Sequence, residues 1–306
     1  MNPPHSSDPH RLASAAIVVG VDGSDGSDVA VRWAARTAVH RRRELLIMHG
    51  LDLAATRATL GGHAAMIAPI TESIHQRGHK IVGDARRLAL ELGPELTVTT
   101  QISDANAAEL LIQVSRTAHM VVLGVTGNAG TFAHLGSTLL AVASHAHGPV
   151  IVVRGTGADP SIRHTGPVVV GADNSAAGDS VIAAAFAEAS DRDAELIVVH
   201  AWSDWNFDGF AGKSELTLVE ADIETAENAL LAERLAGWQE KYPDVRVARQ
   251  IHPGGPIRPL LELSGTAQLI VVGTRGHGAF AGLLLGSTSN FLVQHAHCPV
   301  LVTHQD

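Results

Sequence analysis

The chain repeats itself. Val18-Val19-Gly20-Val21-Asp22-Gly23-Ser24 returns as Val169-Val170-Gly171-Ala172-Asp173-Asn174-Ser175. Gly136-Ser137-Thr138 returns as Gly286-Ser287-Thr288, and His145-Ala146-His147-Gly148-Pro149-Val150 as His295-Ala296-His297-Cys298-Pro299-Val300. Residues 44–49 (ELLIMH) match 195–200 (ELIVVH), and 121–124 (VVLG) match 270–273 (IVVG). The order is kept and the spacing is nearly constant. A period this long marks a duplicated domain, not a solenoid repeat. Whatever architecture one half adopts, the other must adopt as well.

Each half carries five short apolar runs separated by helical patterns. The expected strands are 17–21, 45–49, 96–102, 120–123 and 150–153, then 168–172, 196–200, 245–251, 269–272 and 300–303. Residues 27–39 and 180–190 are Ala-rich with helical spacing, and 221–241 predicts a helix with Leu230, Leu231, Leu235 and Trp238 on one side. Aromatics are only 4% of the chain while apolar residues reach 45%, so small aliphatic side chains build the core. Such runs suit parallel strands covered by helices on both faces. Alternating strand and helix predicts an α/β protein of two tandem doubly wound, five-stranded parallel-sheet domains of Rossmann-like type. The expected boundaries are a disordered tail at 1–14, a first domain at 15–154, a linker at 155–166 rich in Gly, Pro, Ser and Asp, and a second domain at 167–306.

In open parallel sheets, ligands bind beyond the carboxyl ends of the strands. There the second copy reads Gly273-Thr274-Arg275-Gly276, nine residues, then Gly286-Ser287-Thr288: G-x2-G-x9-G-S/T. Glycine lets backbone approach a ligand closely. A helix opened by Gly-Ser-Thr offers unpaired amides and a favourable dipole to phosphate oxygens, and Arg275 adds a charged donor. Any one of these glycines can simply punctuate a turn. The whole arrangement, between an apolar strand and a helix, favours a ligand site.

That motif, with an Asp closing the first strand of each copy, resembles the ATP-binding signature of the universal stress protein family and its adenine nucleotide α-hydrolase-like fold. The likeness covers nearly the whole chain, and two copies in one polypeptide resemble the family's tandem form. It implies an adenine nucleotide ligand, ATP with or without Mg2+, and a regulatory role in stress or dormancy adaptation. In the second copy it implies contacts from Asp173, Ala201, Val272, Gly273, Arg275, Gly276, Gly286, Ser287 and Thr288. In the first copy the matching positions are Asp22, Gly50, Leu123, Gly124, Gly127, Gly136, Ser137 and Thr138. The first copy's glycine loop is one residue shorter and has no Arg between Gly124 and Gly127, which predicts weaker binding there. The resemblance also implies pairing of the two copies through the apolar last strands 150–153 and 300–302, homodimerisation, and an unidentified protein partner.

Other features narrow the function. The formal net charge of −9, with Arg41-Arg42-Arg43 as the one basic run, argues against general nucleic-acid binding. No apolar stretch is long enough to span a membrane. The single Cys298 forbids an intrachain disulfide and reads as a buried core residue; a cytoplasmic location is expected. Gly212-Lys213-Ser214 hints at a phosphate-binding loop, but the position where that motif needs its first glycine holds Phe207, so 204–214 reads as a surface loop. His145, His147, His295 and His297 have no carboxylate or Cys at ligand spacing and read as helix-end residues. His49 and His200 close the second strand of each copy, with a packing role expected. Asp104 or Asn106 is expected to cap the helix that follows, with Pro256 in the first turn of its counterpart. The pairs Asp22/Ser24 and Asp173/Ser175 lack a third member for a triad, so no catalytic set is assigned. A slow ATPase or nucleotidyl-transfer enzyme, and an interaction module with one degenerate pocket, stay open as alternatives.

Overall fold

Short runs of Val, Ile and Leu, apolar on both faces, become parallel strands buried from both sides, and Ala-rich segments pack over them. In the computed structural model, residues 15–61, 64–125, 136–154, 162–173, 178–201, 213–274 and 285–304 are described, without the side chains of 64–66 and 213–223. The tail at 1–14, Gly127, Ser175, Arg275, Gly276 and most of the expected 204–214 loop lie outside the described residues. The chain divides into two compact units near Pro160.

The first unit runs β1 (Ile17–Gly20), α1 (Asp25–His40), β2 (Leu45–Gly50), α2 (Leu53–Leu60), α3 (Ala64–Leu92), β3 (Val98–Ser103), α4 (Ala107–Val114), β4 (Met120–Gly124), α5 (Ser137–His145) and β5 (Val150–Val153). Its strands are all parallel, in the order β3-β2-β1-β4-β5. The second unit repeats the plan: β6 (Val168–Ala172), α6 (Gly178–Asp191), β7 (Leu196–Ala201), α7 (Lys213–Lys241), β8 (Val247–His252), α8 (Ile257–Ser264), β9 (Leu269–Gly273), α9 (Ser287–His295) and β10 (Val300–Thr303). Its parallel order is β8-β7-β6-β9-β10. The doubly wound α/β class expected of each copy is thus the fold of both units.

Local chemistry sets the helix ends. Ser24 opens α1 by accepting a hydrogen bond from the Ser27 amide at 3.2 Å. Ala30, Trp33, Ala34 and Ala38 then turn one face inward, each buried. Asn106 caps α4 by accepting from the Ala108 amide at 2.9 Å, whereas Asp104 faces His75 at 3.5 Å. Pro256 stands at the N-cap of α8. Of the arginine run, Arg41 reaches His119 at 2.9 Å and Arg43 donates to the Ala15 carbonyl at 2.9 Å, so the run fastens the end of α1 to its own unit.

Several boundaries differ from expectation, most of them by a single residue at a strand end. Leu96 and Val245 were expected in strands, but their amides close turns onto Gly93 and Tyr242, so β3 and β8 begin two residues later. The helix expected at 221–241 begins at Lys213, which takes Lys213 and Ser214 out of the expected loop. On it Leu231 and Leu235 are buried while Leu230 is 53% exposed, because one residue rotates the side chain 100° off the apolar stripe. Within the expected linker, Ile162 is buried and Arg163 donates to the carbonyls of Ser264 and Ala267, so its last residues belong to the second unit.

Two glycines make the first unit's packing possible. A Cβ on Gly124 would lie 1.9 Å from the Gly26 carbonyl oxygen, and one on Gly50 would lie 2.6 Å from Ala107 Cα. Both obstacles are backbone, so neither can swing away. Gly124→Ala is expected to destabilise the first unit by about 3 kcal/mol or more, the upper range for overpacking. Urea unfolding should register this as a lowered midpoint for that unit.

Candidate functional site

From β1 the first unit winds to β2 and β3, then crosses back to place β4 and β5 on the other side. The carboxyl ends of β1 and β4 therefore flank the point where strand order reverses. A cavity of about 180 Å3 opens there. Its lining includes Gly20, Val21, Asp22, Ser24 and Ser27 around the start of α1, Met48 and Gly50 at the end of β2, and Ala107, Leu110 and Leu111 of α4. Leu123 and Gly124 of β4 and Gly136, Ser137, Thr138 and Leu139 at the start of α5 complete it. Asp22, Gly50, Leu123, Gly124, Gly136, Ser137 and Thr138, singled out in the sequence, therefore line one cavity; Gly127 lies outside the described residues. Ser27, Met48, Leu110, Leu111 and Leu139 were not anticipated, because their side chains carry no signal beyond that of ordinary core.

The polar side of this cavity is prepared by short-range bonds. Asp22 Oδ1 accepts from the Ser24 amide at 2.9 Å and from Ser24 Oγ at 2.6 Å. That fixes the carboxylate and commits the Ser24 hydroxyl to structure. Helix α5 begins at Gly136 with no side-chain cap. Among the described residues the amides of Ser137 and Thr138 meet no acceptor, as the first turn of any helix dictates unless a cap or ligand intervenes. Gly136 itself has φ −56° and ψ 141°, open to any residue, and among the described residues nothing lies within 4 Å of where its Cβ would be. Nothing in the packing of the described residues asks for glycine at this position.

In the second unit, Asp173 follows β6, Ala201 ends β7, Val272 and Gly273 end β9, and Ser287 and Thr288 open α9 behind Gly286. Arg275 and Gly276 lie outside the described residues. One expectation is corrected. The Gly286 amide, taken as an unpaired donor, bonds the Thr274 carbonyl at 2.7 Å, because the chain folds back onto the exit of β9 before α9 begins. Ser289 Oγ adds a bond to the Gly273 carbonyl at 2.5 Å. Among the described residues, the amides of Ser287 and Thr288 meet no acceptor.

Histidines hold both sites from behind. His49 Nδ1 lies 2.7 Å from the Val21 carbonyl, and His200 Nδ1 3.0 Å from the Ala172 carbonyl, so each ring ties the end of the second strand to the end of the first. His145 closes α5 by bonding the Ala141 carbonyl at 2.9 Å, and the His147 and His297 amides bond Ser115 and Ser264 hydroxyls in matching fashion. Among the described residues no group of three or more His, Cys, Asp or Glu could hold a metal ion, and no helix is long and apolar enough to cross a membrane. Burial drives the Cys298 thiol up to about 12, with Arg163 and a backbone hydrogen bond from Ile270 opposing.

Two parallel α/β units, each with a glycine-ended strand facing an uncapped helix across its switch point, define a tandem Rossmann-like protein. A family model described as the universal stress protein family matches residues 15–154 and again 164–304, and the chain belongs to that family. A universal stress protein of Mycolicibacterium smegmatis is 39% identical over 293 residues, spanning 94% of this chain and 96% of its own length. One from Mycobacterium tuberculosis H37Rv is 39% identical over 297 residues, spanning 94% and 97%. The crystal structure of a universal stress protein from Archaeoglobus fulgidus superposes with a TM-score of 0.65 at 16% identity, covering 95% of this chain and 98% of that one.

Carboxylates crowd the first unit's mouth. Burial pushes the Asp28 carboxyl above the usual carboxylate range; Arg32 pulls it back, while Asp25, Asp84 and Asp22 push it further up. A carboxyl raised in the folded state favours folding below its unfolded value, and that contribution is lost as pH rises through the folded value. Asp28→Asn is therefore expected to stabilise the first unit at neutral pH. The gain should vanish below about pH 4, where the aspartate is protonated in either state. Thermal melts across pH would register it.

Proposed function

We propose that this chain is a regulatory adenine-nucleotide-binding protein, with ATP as its ligand and a role in stress or dormancy adaptation. The observation that supports this most is Gly136: a glycine with open space around it among the described residues, heading an uncapped helix at the switch-point cavity. An anion approaching the Ser137 and Thr138 amides would need that space, and the helix dipole would favour it. The cavity suits part of a nucleotide. At about 180 Å3 it is smaller than the roughly 300–1,000 Å3 of pockets that enclose a whole drug-sized ligand. A base and sugar against Val21, Met48, Leu111 and Leu123 would leave the phosphates at the start of α5. Asp22, held through one oxygen by Ser24, would offer the other to a ribose hydroxyl.

Asp22 adds a negative charge to the lining of the cavity, and Mg2+ carried on the phosphates would offset its repulsion. The Ser24 hydroxyl is occupied with Asp22 and the helix cap, which favours recognition over nucleophilic chemistry. Two nucleotides per chain, a homodimer and a protein partner that reads occupancy complete the proposal; these rest on the family resemblance.

Gly136→Asp separates this reading from a structural role. Asp is as good an N-cap as Gly or better, so stability without ligand should be unchanged or rise by about a few tenths of a kcal/mol. The carboxylate would sit where phosphate is expected. ATP with Mg2+ should raise the melting temperature of the wild-type chain, because it binds the folded state, and the first unit's share of that rise should disappear in the variant. A wild-type melt indifferent to millimolar ATP and Mg2+ would sink the proposal.

A further inference from the structure

Helix α7 carries Glu227 and Arg234 seven residues apart, two turns along one face. Both lead to the exit of β6. His200 is 2% exposed, and its Nδ1 lies 3.0 Å from the Ala172 carbonyl while its Nε2 lies 3.0 Å from Glu227 Oε2. A carbonyl only accepts, so Nδ1 donates; the second bond then needs a proton between the ring and the carboxylate. Arg234 donates through Nη1 to the Asp173 carbonyl, and through Nε and Nη2 to Asp179 Oδ1 at 2.8 and 2.7 Å. Two successive carbonyls, Ala172 and Asp173, are thereby strapped to one helix face. Gly178, the first residue of α6, leaves the room: a Cβ there would lie 2.7 Å from Arg234 Nη2 and 2.8 Å from Asp173 Oδ1. The guanidinium and the Asp173 carboxylate thus crowd the same spot.

The first unit lacks this strap. Helix α3 has the same length as α7 and is followed by Pro94 where α7 is followed by Pro243, which places Gly78 opposite Glu227 and Ala85 opposite Arg234. His49 keeps its bond to the Val21 carbonyl, but neither Gly78 nor Ala85 has a side chain that could reach β1.

We infer that Arg234 and Glu227 are positioning residues for the second unit's ligand site: through α7 they hold the backbone that presents Asp173, so ligand affinity there, and not in the first unit, depends on them. This rests on the nucleotide reading above. An ion-paired strap that only stabilised the fold would change melting temperature without changing one site's affinity selectively.

The test is ATP titration, with Mg2+, of the full chain by calorimetry in two backgrounds. Ser137→Asp with Thr138→Asp leaves the second site to report; Ser287→Asp with Thr288→Asp leaves the first. In the former, Arg234→Gln and Glu227→Ala are each expected to weaken ATP binding about tenfold, the scale of one charge-assisted hydrogen bond. Glu227→Gln, which keeps an acceptor for His200, should recover most of the loss, and Arg234→Lys, which cannot fork, only part. In the latter background none of these changes should move the affinity. Second-site affinity within about twofold of wild type in a folded Arg234→Gln chain, or equal weakening of both sites, would overturn the inference. Wild-type protein that binds no ATP would instead overturn the nucleotide reading on which it stands.

Discussion

The near-contact between the end of β4 and the first turn of α1 governs the first unit. Gly124 sits so close to the Gly26 carbonyl that no side chain fits between them. This closeness draws the start of α1, the end of β1 and the end of β4 into a single crevice. It also explains why the polar groups of Asp22 and Ser24 are fixed by bonds within one turn rather than by distant residues. Parallel topology selects the place, and the glycine at the strand end sets its dimensions.

Much of this was legible in the sequence, for identifiable reasons. The duplication and the Val-rich runs announced two parallel α/β units, because buried strands and Ala-rich helices leave strong, local patterns. Gly124, Gly136, Ser137 and Thr138 announced a site because glycine followed by hydroxyl residues is a local backbone signal. Leu110, Leu111 and Met48 were invisible as lining, since an apolar residue on a cavity wall looks like any other core residue. The Gly286 amide was misjudged because its acceptor, Thr274, is reached only once the intervening chain has folded back. Leu230 was misplaced because the spacing of Leu231 and Leu235 sets the buried stripe, and Leu230 lies about 100° off it. Strand starts at 98 and 247 were shifted by turns whose hydrogen bonds have no side-chain signature.

The two units keep their fold while diverging in how they secure the site. His49 and His200 bond the same carbonyl position across twenty-eight residues of chain. Among the described residues, an acidic residue on the long helix answers the ring in the second unit and not the first, and there an arginine reaches the strand exit. Here the changes fall on helix faces behind the site, not on the Gly-Ser-Thr turn in front of it.

Cys298, 1% exposed and with its thiol pushed to about 12, has a consequence for chemistry and for the bench. Burial disfavours the thiolate, and the thiolate is the form that peroxide and alkylating reagents attack. With no other cysteine in the chain, oxidants find no sulfhydryl sensor in the native protein. A cysteine engineered onto its surface would be the one thiol open to a maleimide dye, with the endogenous residue left in place.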